Sequence, residues 1–154
     1  MITIRQARSD EWQAVQALND QVITDNAQYD PDMLVDWAQS PAGEAYYRNL
    51  VVDPSAVCFL AMSEENKPVG YLAASHKPID YRRSKYLEID NMGVMPEFRS
   101  QGVGAQLVEV CREWAVQNGY QKLFVNSYWA NLGAIKFYKQ QGFVEIDVSL
   151  ERTV

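Results

Sequence analysis

A strand, a glycine-bearing loop and a helix follow one another near the middle of this chain, and that order constrains its fold more than any other feature. Tyr86-Leu-Glu-Ile-Asp-Asn-Met-Gly-Val94 reads as a strand, and it runs into Met95-Pro-Glu-Phe-Arg-Ser-Gln-Gly-Val-Gly104 and then an amphipathic segment. Gly102 and Gly104 free the backbone to bend, and the unpaired N–H groups of the helix that follows point toward a bound anion. The spacing excludes two familiar phosphate binders. A dinucleotide fingerprint needs a third glycine where this chain has Leu107, and the Gly-Lys-Ser/Thr ending of a P-loop is absent. A second block, Asn131-Leu-Gly-Ala-Ile-Lys-Phe-Tyr-Lys-Gln-Gln-Gly-Phe143, lies downstream.

Bulk properties narrow the setting of that loop. A chain of 154 residues suits one domain, 1–154, with a sizeable core. No apolar run approaches the ~20 residues that span a bilayer, and Met1-Ile-Thr-Ile-Arg-Gln lacks the apolar core of a signal peptide. Cys58 and Cys111 offer neither a disulfide framework nor metal spacing, so a cytoplasmic protein without a metal is expected. A net charge of −6 argues against a nucleic-acid partner and permits a cationic substrate.

Periodicity supplies the remaining elements. Ile2–Ala7 alternates as a strand. Ser9 is a candidate N-cap for a helix whose face carries Trp12, Val15, Leu18 and Val22. Asp30-Pro31 opens a second helical region with Met33, Leu34 and Trp37, which Pro41 interrupts. Val57–Met62 and Val69–Ser75 flank the turn Glu64–Pro68 as a hairpin. After the strand Tyr86–Val94 come a helix over Val103–Asn118 ended by Gly119, a short strand Lys122–Val125, a helix Leu132–Gln141 ended by Gly142, and a last strand Phe143–Leu150. The order β-α-α-β-β-β-α-β-α-β implies an α/β (α+β) fold with a mixed sheet and helices on both faces.

The two blocks together resemble the signature of the GNAT superfamily of N-acetyltransferases. Arg99-Ser-Gln-Gly-Val-Gly104 is similar to that family's [QR]-x-x-G-x-[GA] loop, with Val94 and Pro96 ahead of it. Asn131, Ala134, Phe137-Tyr138 and Gly142-Phe143 are similar to its second motif, N-x-x-A-x-x-F-Y-x-x-x-G-[FY]. The resemblance implies a mostly antiparallel sheet with a splayed strand pair, and acetyl-CoA as the donor substrate. It places the pyrophosphate on the backbone around Arg99, Ser100, Gln101, Gly102, Val103 and Gly104, with Lys136 and Lys139 as nearby cations. It pairs the pantetheine arm with the strand backbone at Met92, Gly93 and Val94, and it gives Asn131 a CoA contact beside its ordinary N-cap role. Gly93, a glycine inside a strand, marks a bulge or the close approach of another chain.

Chemistry then needs an acid and a base. Tyr138 matches the family tyrosine that can protonate the departing thiolate, against a plain packing role beside Phe137. An ammonium must lose a proton before it attacks a thioester, and Glu88 leads as its acceptor. Glu88 is expected to share a strand face with Asp90 and Met92, where Asp90 raises its pKa or binds the amine. The alternative pairs these carboxylates with the Arg82-Arg83-Ser-Lys85 cluster. His76 is a further candidate, and neither cysteine has a neighbour in sequence that would activate it.

Between Val22 and Asp53, carboxylates at Asp25, Asp30, Asp32, Asp36, Glu44 and Asp53 alternate with Tyr29, Trp37, Tyr46 and Tyr47. In the family this region walls the acceptor site, and acidic and aromatic groups suit an ammonium. The expected acceptor is a cationic primary amine, either a small molecule or a peptide lysine or N-terminus. A non-catalytic acyl-CoA-binding sensor is the competing reading. Family members commonly form homodimers, and the sequence points to no interface.

Overall fold

A five-stranded sheet organises the computed structural model, which describes all 154 residues. Its strands are β1 (Thr3–Gln6), β2 (Ala56–Met62), β3 (Pro68–Lys77), β4 (Tyr86–Val94) and β5 (Lys122–Val125), in that spatial order. The first four are antiparallel, and β5 lies parallel to β4 at the edge. The parallel pair follows from its connection, because joining parallel neighbours takes a crossover, here the helix α3 (Val103–Gln117). Three more helices complete the fold: α1 (Trp12–Asn26), α2 (Pro41–Leu50) and α4 (Leu132–Gln140).

Two cores separate the layers. β2 reads Ala-Val-Cys-Phe-Leu-Ala-Met without a polar residue and is buried along its whole length, as a strand covered on both faces must be. Its Val57, Phe59 and Ala61 face α3, where they meet Leu72, Ile89, Leu107 and Cys111. Cys58, Leu60 and Met62 face α1 and α2, against Val15, Tyr47 and Tyr71. The hairpin of β2 and β3 closes through Ser63–Lys67, with Asn66 in the left-handed region.

Three expectations are corrected. Glu11, not Ser9, caps α1, and its carboxylate is spent on Arg5 at 2.7 Å. Pro41 starts α2 instead of interrupting a helix: the ring sits at the first turn, where no N–H is needed, and Ser40 Oγ accepts from Gly43 N–H at 3.1 Å. Residues 27–36 consequently form turns. Phe143–Leu150 forms no strand, because no neighbouring strand pairs with it.

Candidate active site

β4 pairs with β5 only from Tyr86↔Lys122 to Ile89↔Val125, and β4 then continues alone to Val94. The sheet therefore splays at Asp90. Met95 N–H reaches Val69 O on β3 at 2.8 Å, so by the alternation of strand backbone groups Met92 and Val94 turn theirs to the open side. Gly93 lies between them under α1, where an added Cβ would collide with Val22 Cγ2. The close approach expected of this glycine is thus α1's.

The loop after β4 gathers a run of unpaired N–H groups. Ser100 and Gly102 adopt left-handed φ values of 59° and 80°, alternating with their neighbours so that successive N–H groups turn inward. The first helical bond of α3 is Gln106 N–H to Gly102 O, and the N–H groups from Gln101 to Ala105 have no partner in the protein. At Gly104 a Cβ would press within 3.2 Å of the Phe137 ring, so glycine lets α4 close over the N-terminus of α3. Arg99 turns away from the cradle: its guanidinium holds Val94 O and Asp25 Oδ2, each at 2.8 Å. Lys139 pairs with Glu145 at 2.8 Å.

A bulge arranges the carboxylates. Ala74 stands opposite Ile89 and Ala73 opposite Asn91, which leaves Asp90 as the extra residue. Glu88, Asp90 and Asn91 consequently share the α1–α2 face. Met92 goes to the opposite one, packing against the α3 core, so the expected face shared by Glu88 and Met92 does not form. Glu88 is bound by Lys77 at 3.0 Å and Asn126 at 3.3 Å, so its cation is Lys77 and not the Arg82–Lys85 cluster. Asp90 has no cation partner. Ser75 Oγ donates to it at 2.8 Å and Tyr46 OH lies 3.4 Å away. Burial lifts the Asp90 carboxyl above its ordinary value against the pull of Ser75, and the charge of Glu88 lifts it further.

Behind Asp90 runs a polar network that sequence reasoning missed. Asn19, buried on α1, donates to Tyr71 OH at 2.6 Å and Asn91 Oδ1 at 3.2 Å, and it accepts from Tyr47 OH. Asn91 in turn donates to Tyr46 OH at 3.3 Å. The available signal was a polar residue in the Val15–Val22 stripe of α1. Trp37, Tyr46 and Tyr47 gather with ring centroids 5.1–6.1 Å apart.

Two acidic residues of the expected acceptor wall are engaged locally, Glu44 by Arg48 and Asp53 by Ser55. Asp30 instead accepts from Tyr128 OH at 2.9 Å, tying the loop after α1 to the loop after β5.

On α4, Asn131 Oδ1 accepts from Ala134 N–H at 3.1 Å as an N-cap, leaving its amide nitrogen unengaged. The Tyr138 ring is held edge-on between Phe137 and Phe143, its hydroxyl makes no hydrogen bond in the protein, and burial raises its pKa well above the usual tyrosine value. His76 lies against Tyr120 instead, at the other end of β4 from the splay. Burial pushes the Cys58 and Cys111 thiols up to about 12, which keeps both as thiols. No three His, Cys, Asp or Glu side chains are grouped to hold a metal ion.

Residues 17–143 match the acetyltransferase (GNAT) family. An uncharacterized N-acetyltransferase of Methanocaldococcus jannaschii is 33% identical over 91 residues, 58% of this chain and 40% of that protein. N-acetyltransferase 8 of Homo sapiens is 29% identical over 86 residues, 56% of this chain and 38% of that one. The matches therefore span less than half of these relatives. Among solved structures, a mutant BH1408 protein from Bacillus halodurans superposes with a TM-score of 0.86 at 17% identity over 99% of both chains. The aminoglycoside N-acetyltransferase AAC(6')-Iy, in complex with a CoA-containing bisubstrate analog, gives 0.77 at 20% identity over 100% of this chain and 99% of that one. These likenesses show a shared fold. The family match spans the splayed β4, the loop and α4, and the chain belongs to the acetyltransferase (GNAT) family.

Proposed function

We propose that the protein transfers the acetyl group of acetyl-CoA to the primary amine of a cationic small molecule. One observation carries the reading: the free edge of β4 at Met92 and Val94 leads into a loop whose N–H groups from Gln101 to Ala105 are unpaired. An extended amide-bearing arm suits the first feature and a pyrophosphate the second. The Asn131 amide is free to donate to the same ligand. Arg99 acts indirectly, fixing the end of β4 against α1 through Val94 and Asp25.

The acceptor meets the donor where the sheet parts. Asp90, at the bulge and without a cation of its own, takes a proton from the ammonium directly or through one water. The amine then forms its N–C bond at the thioester carbonyl as the C–S bond breaks. A Met92 or Val94 N–H stabilises the oxyanion, and the departing thiolate accepts the proton of Tyr138 OH. Solvent then takes the second proton of the acylated nitrogen, removes the proton from Asp90 and restores that of Tyr138. Glu88, neutralised by Lys77, lines the mouth beside Asp90, and the Asp30–Tyr128 bridge bounds it. Carboxylate and aromatic walls favour an ammonium-bearing acceptor, in line with the aminoglycoside enzymes among the structural neighbours.

CoA-thiol release with acetyl-CoA, followed across polyamines, aminoglycosides, lysine peptides and peptides with free N-termini, tests this reading. Turnover on the small polycations is expected. Turnover confined to the peptides would replace the acceptor class, and tight acetyl-CoA binding without turnover on any amine would support a sensor instead.

A further inference from the structure

Asn19 is the only amide or charged side chain among the buried residues, and its hydrogen bonds run in one direction. Tyr47 OH donates to Asn19 Oδ1, and the Asn19 amide nitrogen donates to Tyr71 OH at 2.6 Å and to Asn91 Oδ1 at 3.2 Å. The Asn91 nitrogen donates to Tyr46 OH at 3.3 Å, and the Tyr46 hydroxyl faces Asp90 Oδ2 at 3.4 Å. An ionised carboxylate only accepts, and a phenol has a single proton to give. The direction is therefore the same read from either end. Tyr46 gives its proton to Asp90 because its oxygen already takes one from Asn91, and Asn91 offers its nitrogen because its oxygen is held by Asn19. The place of Asn19 calls for an amide, with an acceptor for Tyr47 on one side and donors for β3 and β4 on the other. Asn19, Tyr47 and Tyr71 are buried, so water does not substitute for their links.

We propose that Asn19 and Tyr46 are positioning residues for Asp90, Asn19 fixing the direction of the line and Tyr46 delivering its last donor to the carboxylate. The inference rests on the reading of Asp90 as the proton acceptor, and it explains how a carboxylate without an ion pair is kept ready as a base. Burial and the charge of Glu88, its neighbour on β4, oppose ionisation of Asp90, whereas Ser75 and Lys77 from β3 and Tyr46 from α2 favour it. Lys77 is engaged by Glu88, which leaves the two hydroxyls as the donors that Asp90 holds directly. Helix α1 reaches Asp90 through Asn19 and Asn91. Trp37 and Tyr47 hold the Tyr46 ring at centroid distances of 5.7 and 5.1 Å, so packing aims the phenol as well.

An NMR titration of the aspartate carboxyl carbons tests the line without any substrate, the Asp90 signal being the one missing in Asp90→Asn. Removing a donor to the ionised form raises a carboxyl's pKa. Tyr46→Phe keeps the ring packing and deletes the proton, and the Asp90 midpoint is expected to rise by about one pH unit. Asn19→Leu frees the Asn91 amide to turn over and is expected to raise the midpoint in the same direction by a smaller amount. Because Asn19 acts through Tyr46, Asn19→Leu should add nothing to Tyr46→Phe in the double variant. Should Asn19→Leu not fold, Asn91→Ala breaks the line one link nearer Asp90 and carries the same expectation. A midpoint unmoved by Tyr46→Phe, or by the Asn19 or Asn91 variant that folds, overturns the proposal, even where the melting temperature falls. So does a second shift added on top of Tyr46→Phe. The acidic limb of turnover on acetyl-CoA and spermidine, followed in parallel, tests the base itself. A limb that stays in place while the Asp90 midpoint moves removes Asp90 from the chemistry and leaves its positioning by Asn19 and Tyr46 standing.

Discussion

Ser75 Oγ lies 2.8 and 2.9 Å from the two carboxylate oxygens of Asp90, tying β3 to the residue that β4 extrudes at its bulge. The contact orients a carboxylate that forms no ion pair, and orientation without neutralisation is what a proton acceptor needs. Asp90→Asn keeps the shape and removes the basicity. A fall in kcat of about 10²–10⁴-fold is expected, with acetyl-CoA affinity unchanged. Binding and steady-state kinetics on one preparation check both, and a variant retaining full kcat would remove Asp90 from the chemistry.

The same carboxyl sets a pH dependence whose sign is fixed. Its folded-state pKa is raised by burial, and the base works only when ionised. Activity should therefore climb as pH rises through that raised value, and the acidic limb should vanish in Asp90→Asn. Stability runs the other way. A carboxyl with a raised folded pKa favours the fold in its protonated form, and that contribution is lost as pH rises through the folded value. Asp90→Asn should consequently melt no lower than the parent at neutral pH, by thermal unfolding followed in parallel with the kinetics.

Glu88 and Asp90 lie two positions apart on one face, yet their surroundings separate them. Lys77 and Asn126 hold Glu88, and Lys77 also lies 4.4 Å over the Phe124 ring. Glu88→Gln should lower kcat several-fold at most and cost on the order of 1 kcal/mol in stability, since the pair is only partly shielded from solvent. Urea titration gives the second figure. Were Glu88→Gln to lose as much rate as Asp90→Asn, the two would share the proton and the separate assignment would fail.

Much of this could be read from the chain alone, and the parts that could not have physical reasons. β4 and β5 begin and end where alternation predicts, and Gly102, Gly119 and Gly142 take the positive φ values expected near helix ends. The one-residue offset between β3 and β4 was hidden, because Asp90 carries no mark of a bulge and only the pairing of its neighbours with Ala73 and Ala74 reveals it. That offset moved Met92 to the far face and promoted Asp90 over Glu88. Pro41 was ambiguous because the same ring breaks a helix from inside and starts one at the first turn. Asn19 was invisible as a hub because its partners come from α2, β3 and β4. Phe143–Leu150 shows the opposite case: its alternating pattern is plain, and no strand of the chain pairs with it.

Tyr138 is predicted to act as a neutral donor over the whole working range. Burial raises its pKa, so it stays protonated through neutral and mildly alkaline pH and adds no alkaline limb there. Tyr138→Phe keeps the edge-on packing with Phe137 and Phe143 while deleting the hydroxyl. A loss of about 10²-fold in kcat is expected where thiolate departure limits the rate, with CoA affinity within a few-fold of the parent. Unchanged kcat under that condition would return Tyr138 to a packing role.

Gly93 and Val22 form a pair whose coupling can be measured directly. An added Cβ at Gly93 meets Val22 Cγ2 at sub-van-der-Waals range and the Tyr71 ring at 3.3 Å, both on the α1 side of β4. Gly93→Ala must therefore push α1 off the strand or displace the open edge, and overpacking of this kind costs about 1–3 kcal/mol. Val22→Ala alone removes two methyl groups from a partly buried site and costs about 1–2 kcal/mol. Because the new methyl occupies the space those groups leave, the double variant should be more stable than the sum of the single losses predicts, with a favourable coupling of about 1 kcal/mol or more. A full cycle by chemical denaturation measures it, and additive losses would mean that α1 does not press on Gly93. The cycle also bears on function, since the same approach fixes the Met92 and Val94 edge. Gly93→Ala should raise the acetyl-CoA KM, and Val22→Ala in the same chain should bring it back.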